Sequence, residues 1–162
     1  MRRVARVVAL AVAAGVSAAG VSPLAVSADA PSSVSILAHP CLFFPVEVGL
    51  WETSGAITDS GVYERTEAAT APPDRPFGVS GPVRETFLFS SPQGTFMIKA
   101  EERDTGAEVT GVWELMSGTG AYADTSGHGS FAFYMTETPN TCPPPTNLFT
   151  IALTGVASKV GP

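Results

Sequence analysis

The chain has 162 residues, of which 15 are acidic and 9 are basic, and its formal net charge is −6. This acidic balance argues against nucleic acid and against an anionic membrane surface as partners. Three of the basic residues, Arg2, Arg3 and Arg6, lie within the first eight positions, and without them the net charge becomes −9.

The first 28 residues have the pattern of a cleavable signal peptide. The three arginines precede an apolar stretch over 7–21, and Val26-Ser27-Ala28 offers small residues at the expected cleavage position. We therefore expect the mature chain to begin at Asp29 and to be secreted. A membrane anchor is the alternative, since a spanning helix needs roughly 20 apolar residues. Two glycines and a proline within 15–23 argue against it.

The remaining residues, 29–162, match the common size of one domain. Apolar residues never recur there at helical spacing, whereas several windows alternate strictly between apolar and polar residues, as β-strands do. We predict an all-β domain of about eight strands. The predicted strands cover residues 34–37, 46–54, 61–66, 83–89, 95–102, 108–117, 128–136 and 149–157.

Turn residues separate these strands in a way that favours hairpins. Ser90-Ser91-Pro92-Gln93-Gly94 and Asp104-Thr105-Gly106 are short turn signals, while 68–82 and 139–147 are proline-rich connections. A sheet of consecutive hairpins exposes two edges unless it closes on itself. We therefore predict a closed antiparallel barrel, with a two-sheet sandwich as the alternative.

Two cysteines, Cys41 and Cys142, lie near the two ends of the mature domain. Export brings them to an oxidising compartment, so we predict a disulfide between them. The alternatives are a reactive thiol or a metal site that uses His39 and Cys41. The chain has only two histidines and no pair of ligands at zinc spacing, so we predict neither a metal nor a cofactor.

The segment Gly118-Thr119-Gly120-Ala121-Tyr122, followed by Gly127-His128-Gly129, resembles a corner of the allene oxide cyclase and dirigent superfamily. The likeness is greatest to its small secreted bacterial members, in which a strand containing tryptophan, like that of Trp113 here, precedes the corner. Gly118 and Gly120 suit a sharp change of direction, and Tyr122 is placed to seal a barrel end. The corner is thus structural before it is functional.

The resemblance implies a barrel and self-association, because trimers are known in the superfamily. Its plant cyclases isomerise a fatty-acid epoxide inside an apolar barrel, and dirigent proteins steer the coupling of phenoxy radicals. Ser117 stands where dirigent proteins usually have glycine. No catalytic residue of either group matches a position here outside the corner, so the resemblance does not carry an activity over.

Carboxylates on apolar strand faces are the candidate catalytic residues, because burial raises a carboxyl pKa and suits the group to acid or base work. Glu85 shares a face with Phe87, and Glu114 shares one with Val112 and Met116. A strand also leaves room for charge on its wet face, so the same residues could lie outside the barrel.

Three functions follow from this pattern. The first is a binding or scaffold module that holds a small apolar molecule against Phe87, Trp113, Phe131 and Phe133. The second is an isomerase or cyclase in which Glu85 or Glu114 stabilises developing charge inside the barrel. The third is a filled barrel that acts through its surface. An ionisable group in the interior favours the second over the first, and an empty interior argues against the third.

Overall fold

The computed structural model describes residues 30–42, 46–70, 79–106, 108–136 and 149–158. The predicted signal peptide, Cys142 and the connection 139–147 lie outside these residues, as does most of the connection 68–82. Within the described ranges no helix has the length and apolar character needed to cross a membrane.

Eight antiparallel strands form one closed barrel, which confirms the predicted fold class and excludes the sandwich. Each strand pairs with the next one along the chain, and the last strand pairs with the first. The strands are β1 Ser32–Leu42, β2 Val48–Gly55, β3 Ser60–Thr70, β4 Gly81–Ser91, β5 Gly94–Asp104, β6 Val109–Gly118, β7 Gly127–Met135 and β8 Phe149–Ala157.

Most strands match their predicted positions, but some are longer than the alternation indicated. The largest change after β1 is in β3, predicted over 61–66 and observed over Ser60–Thr70. A bulge between Arg65 and Glu67 shifts the register, and pairing with β4 then continues to Thr70. The side chains beyond the bulge are mostly exposed. Backbone hydrogen bonding to β4 therefore continues past the last residue at which an apolar–polar alternation indicates a strand.

One end of the barrel is filled by aromatic side chains, and we call it the aromatic end: Trp51, Phe89, Phe96 and Tyr122. The rings of Phe89 and Phe96 stack with centroids 4.9 Å apart, and Tyr122 lies 4.9 Å from Phe96. The indole of Trp51 meets Phe96 edge-on at 5.2 Å and donates to the carbonyl oxygen of Val62 at 3.0 Å. Each of the four side chains is almost completely buried, so this end is part of the hydrophobic core.

The glycine-rich corner lies at the aromatic end and makes a single 3₁₀ turn over Gly120–Tyr122. Gly120 has φ of +59°, which favours glycine, and a Cβ on Gly118 would lie 2.2 Å from the carbonyl oxygen of Tyr122. The Tyr122 hydroxyl donates to the Asp59 carboxylate, and Thr119 Oγ1 accepts from the Thr95 backbone at 3.1 Å. The corner therefore brings Tyr122 across the barrel end.

Candidate functional site

The opposite end of the barrel carries charged side chains on its inner face. Glu47 precedes β2, and Arg65, Glu85 and Glu102 lie on β3, β4 and β5. We call these four residues the carboxylate end. The three glutamates are 1%, 6% and 7% exposed, so they are as inaccessible as core residues.

The two-residue period of the strands directs these side chains inward. Glu85 lies on the face of Phe87 and Phe89, and Glu102 lies on the face of Ile98 and Ala100, all four of which belong to the core. The barrel register then brings β3, β4 and β5 side by side. Residues far apart in the sequence meet in this way at one end of the interior.

Arg65 links two of the carboxylates. Its Nη1 lies 3.1 Å from Glu47 Oε2 and 2.9 Å from Glu85 Oε1, and its side chain is only 12% exposed. The hydroxyl of Tyr63 donates to the other oxygen of Glu47 at 2.9 Å. Glu47 therefore receives two donors, one from Tyr63 and one from Arg65.

Burial raises the pKa of these acids. Removal from water, and then the negative charge of Glu85, raises the pKa of Glu102 to about 10. The same two causes raise the pKa of Glu47 to about 7, against the opposing effects of Arg65 and Tyr63. At neutral pH Glu102 thus keeps its proton and hydrogen-bonds to Glu85.

One buried polar atom of this cluster has no hydrogen-bond partner among the described residues. Glu102 Oε1 makes no hydrogen bond to any residue within the described ranges, although it is shielded from solvent. Buried polar atoms in folded proteins are nearly always hydrogen-bonded, so each exception requires an explanation. Here the atom belongs to a residue that lines a cavity.

The cavity has a volume of about 410 Å³ and lies inside the carboxylate end of the barrel. Its polar wall includes all four residues of that end together with Asp104 and Glu108. Its apolar wall is made by residues from β4, β6, β7 and β8: Val83, Val109, Phe131, Phe133, Met135, Phe149 and Ile151. The site can therefore take a molecule with an apolar body and a polar group.

No family model, curated protein or solved structure matches this chain. Membership of the allene oxide cyclase and dirigent superfamily accordingly stays a prediction, as does self-association. The disulfide is also a prediction, because Cys142 is outside the described residues. Within those residues no group of three or more His, Cys, Asp or Glu is arranged to hold a metal ion.

The two candidate acids, Glu85 and Glu114, lie on opposite sides of the barrel wall. Glu85 lies in the cavity wall, as its apolar neighbours on β4 indicated. Glu114 is exposed on the outer face of β6, opposite Lys99 of β5 and His128 of β7. Of the two positions left open for Glu114, the structure shows the outer one, because the face that it shares with Val112 and Met116 is exposed.

The four aromatic candidates also divide into two pairs. Phe131 and Phe133 line the cavity. Phe87 and Trp113 do not, because they are packed deeper in the core at 1% and 2% exposure. The Trp113 indole donates to the carbonyl oxygen of Thr154 at 3.3 Å, so it connects β6 to β8 across the intervening strand β7.

Sequence reasoning missed Glu47, Arg65 and Glu102. Glu47 alternates with Gly49 and Trp51, and this face of β2 is the buried one. Glu102 continues the series Ile98 and Ala100, but its sequence neighbours Glu101, Arg103 and Asp104 are charged, a pattern typical of a solvated strand end. An acid that continues an apolar alternation is the signal that would have found Glu102, whereas Glu47 lies on the less apolar face of its strand and has no such signal.

Proposed function

We propose that the protein is exported and binds a small, mostly apolar molecule in the cavity at the carboxylate end. The observation that supports this most directly is the cavity itself, whose wall is mainly apolar with a few convergent polar groups. Ligand sites in proteins typically have this composition. The aromatic end fits the filled-barrel alternative, but the cavity at the other end argues for an occupant.

The proposal is tested by native mass spectrometry of the protein purified from its secreting source, together with binding of the neutral fluorescent probe N-phenyl-1-naphthylamine. We expect an adduct that is released on denaturation, and saturable probe binding that the natural ligand displaces. Neither adduct nor probe binding by the folded protein would overturn the proposal.

A matched pair of variants on β6 locates the binding. Val109 lines the cavity, whereas Val112 of the same strand is 59% exposed on the outer surface. Val109→Trp should fill part of the cavity and reduce probe affinity by about tenfold or more, because the indole takes up volume that the probe would occupy. Val112→Trp should leave affinity unchanged. Equal effects of the two variants would place the probe elsewhere.

Acid–base isomerisation is a second candidate, supported by the pairing of Glu102 with Glu85. Two adjacent acids can serve as proton donor and proton acceptor when their surroundings give them different pKa values. In this function Glu102 gives a proton to one atom of the substrate and Glu85 accepts a proton from another, so the composition of the substrate is unchanged, and the proton then returns from Glu85 to the adjacent Glu102. The resemblance to the plant cyclases points to an apolar substrate such as an epoxide.

An unsaturated fatty-acid epoxide is the probe for this second function. Isomerisation leaves its mass unchanged and alters its chromatographic retention, which separates isomerisation from hydrolysis. We expect Glu85→Gln and Glu102→Gln to abolish conversion, and the outer-face variant Glu114→Gln to retain it. Conversion no faster than the uncatalysed reaction, with wild-type protein, would exclude this activity on that substrate class.

A further inference from the structure

The polar wall of the cavity has an imbalance of charge. Four glutamates and Asp104 line it, and Arg65 is the only Lys, Arg or His among the described residues of that wall. Ionised acids in a buried site require compensating charge, or else they keep their protons. Among the described residues, this wall therefore carries more carboxyl groups than positive charges.

The second observation is the unpartnered oxygen of Glu102. Oε1 is shielded from solvent and lacks a donor within the described residues, and its side chain lines the cavity. The same cavity is also lined by Phe131 and Phe133 of β7. A group that donates hydrogen bonds to Glu102 would thus extend from a body that lies on aromatic surface.

We propose that the ligand of this cavity is an organic cation, namely a primary amine with an apolar body, whose ammonium group binds Glu102 and Glu85. This inference rests on the proposed binding function and specifies its ligand class. The apolar body lies against Phe131, Phe133 and Ile151.

An ammonium group fits the site better than other donors do. A hydroxyl would satisfy Glu102 Oε1 but would leave the charge imbalance unchanged, whereas an ammonium group supplies three donors and one positive charge. An anionic head group would add a further negative charge to the cluster. A cation close to an aromatic ring is also attracted by the negative face of the ring.

Proton release provides a specific signature. Glu102 is protonated in the unliganded protein, because burial and then the charge of Glu85 raise its pKa. Its neighbours are Glu47, Glu85 and Arg65, and a bound ammonium group would favour its ionised form. Binding of the amine should therefore release a proton, whereas binding of a neutral analogue should not.

The experiment compares 2-phenylethylamine, 2-phenylethanol and ethylbenzene by titration calorimetry at pH 7, in buffers of different ionisation enthalpy. We expect the amine to bind at least about tenfold more tightly than the alcohol and to release up to one proton. In Glu102→Gln, whose amide keeps the acceptor but not the charge, affinity for the amine should fall to that for the alcohol. Glu114→Gln is the control and should behave like wild type.

Equal affinity for amine and alcohol, or binding of the amine without proton release, would overturn the amine proposal. The binding function would still stand if ethylbenzene or the naphthylamine probe bound, so the two failures are distinguishable. If Glu102→Gln does not fold, proton release by the wild-type protein decides the matter alone. If none of the three compounds binds, the amine proposal is also overturned. Binding of the neutral probe N-phenyl-1-naphthylamine then tests the binding function separately.

Discussion

The two ends of the barrel interior are built from the same strands but differ in chemistry. On β4, Phe89 lies in the aromatic end and Glu85 in the carboxylate end, and on β5 the same change occurs between Phe96 and Glu102. One end is filled by stacked rings, while the other combines a cavity with buried acids. The interior is therefore divided along its axis into a packed part and a part suited to binding.

This division has an energetic meaning. Burial of aromatic rings contributes to folding, whereas burial of carboxyl groups costs free energy unless they are paired or protonated. Local arrangements that lower stability are expected where a protein has a function to perform. The contrast points to the carboxylate end as the functional region, and the four predictions below test it from the largest expected effect to the smallest.

The predicted disulfide would hold the carboxylate end covalently, because Cys41 lies at the end of β1 on that side. A bridge between Cys41 and Cys142 would close a loop of about 100 residues, and its reduction should lower the unfolding free energy by about 4–5 kcal/mol. Urea unfolding with and without reductant measures this. Labelling of free thiols in the native, unreduced protein would show instead that this end lacks a covalent tie.

Truncation of Trp51 should show how much the aromatic end contributes to stability. Trp51→Ala removes a buried ring and leaves a cavity, so we expect a loss of about 3–5 kcal/mol in urea unfolding followed by circular dichroism. Phe133→Ala, at the carboxylate end, should cost less because that ring is only partly buried and already borders a cavity. Equal losses would contradict the division into packed and binding parts.

Stability should depend on pH through the carboxylate end. The pKa of Glu47 is raised from 4.5 to about 7 by burial and by Glu85, so the unfolded chain loses this proton more readily than the folded one. The unfolding free energy consequently falls as pH rises from about 4.5 to about 8, by ~3 kcal/mol for this group.

Glu47→Gln should remove that contribution and gain stability relative to wild type as the pH increases. Glu114→Gln, on the outer face, should keep the wild-type dependence. Chemical unfolding at several pH values measures both. A Glu47→Gln curve parallel to that of the wild type would mean that Glu47 does not carry its proton in the folded protein.

The smallest effect concerns the hydrogen bond that closes the aromatic end. Tyr122→Phe keeps the buried ring but removes the hydroxyl that donates to Asp59, so we expect a loss of about 1–2 kcal/mol. Tyr134→Phe is the control, because Tyr134 is 45% exposed, and should change stability by less than about 0.5 kcal/mol. Urea midpoints are sensitive enough to separate the two variants.

The amino-acid sequence by itself determined the strands and their connections. Alternation of apolar and polar residues predicts a strand with one buried face. Hairpin turns between consecutive strands favour closure of the sheet into a barrel, so the barrel could be predicted. The same reasoning placed Glu85 among interior candidates, because its neighbours on β4 are large and apolar. It also placed Tyr122 and the glycines of the corner next to one another, since that feature is local in the chain.

Only the tertiary structure decided which face of each strand turns inward and which side chains meet there. Around β2 the face of Val46, Val48 and Leu50 is more apolar than that of Glu47, yet Glu47 is the buried residue. A two-residue period defines two faces without naming the inner one, and the closed register of neighbouring strands makes that choice. The same register brings Arg65, Glu85 and Glu102 together from three strands, an encounter that no local pattern contains.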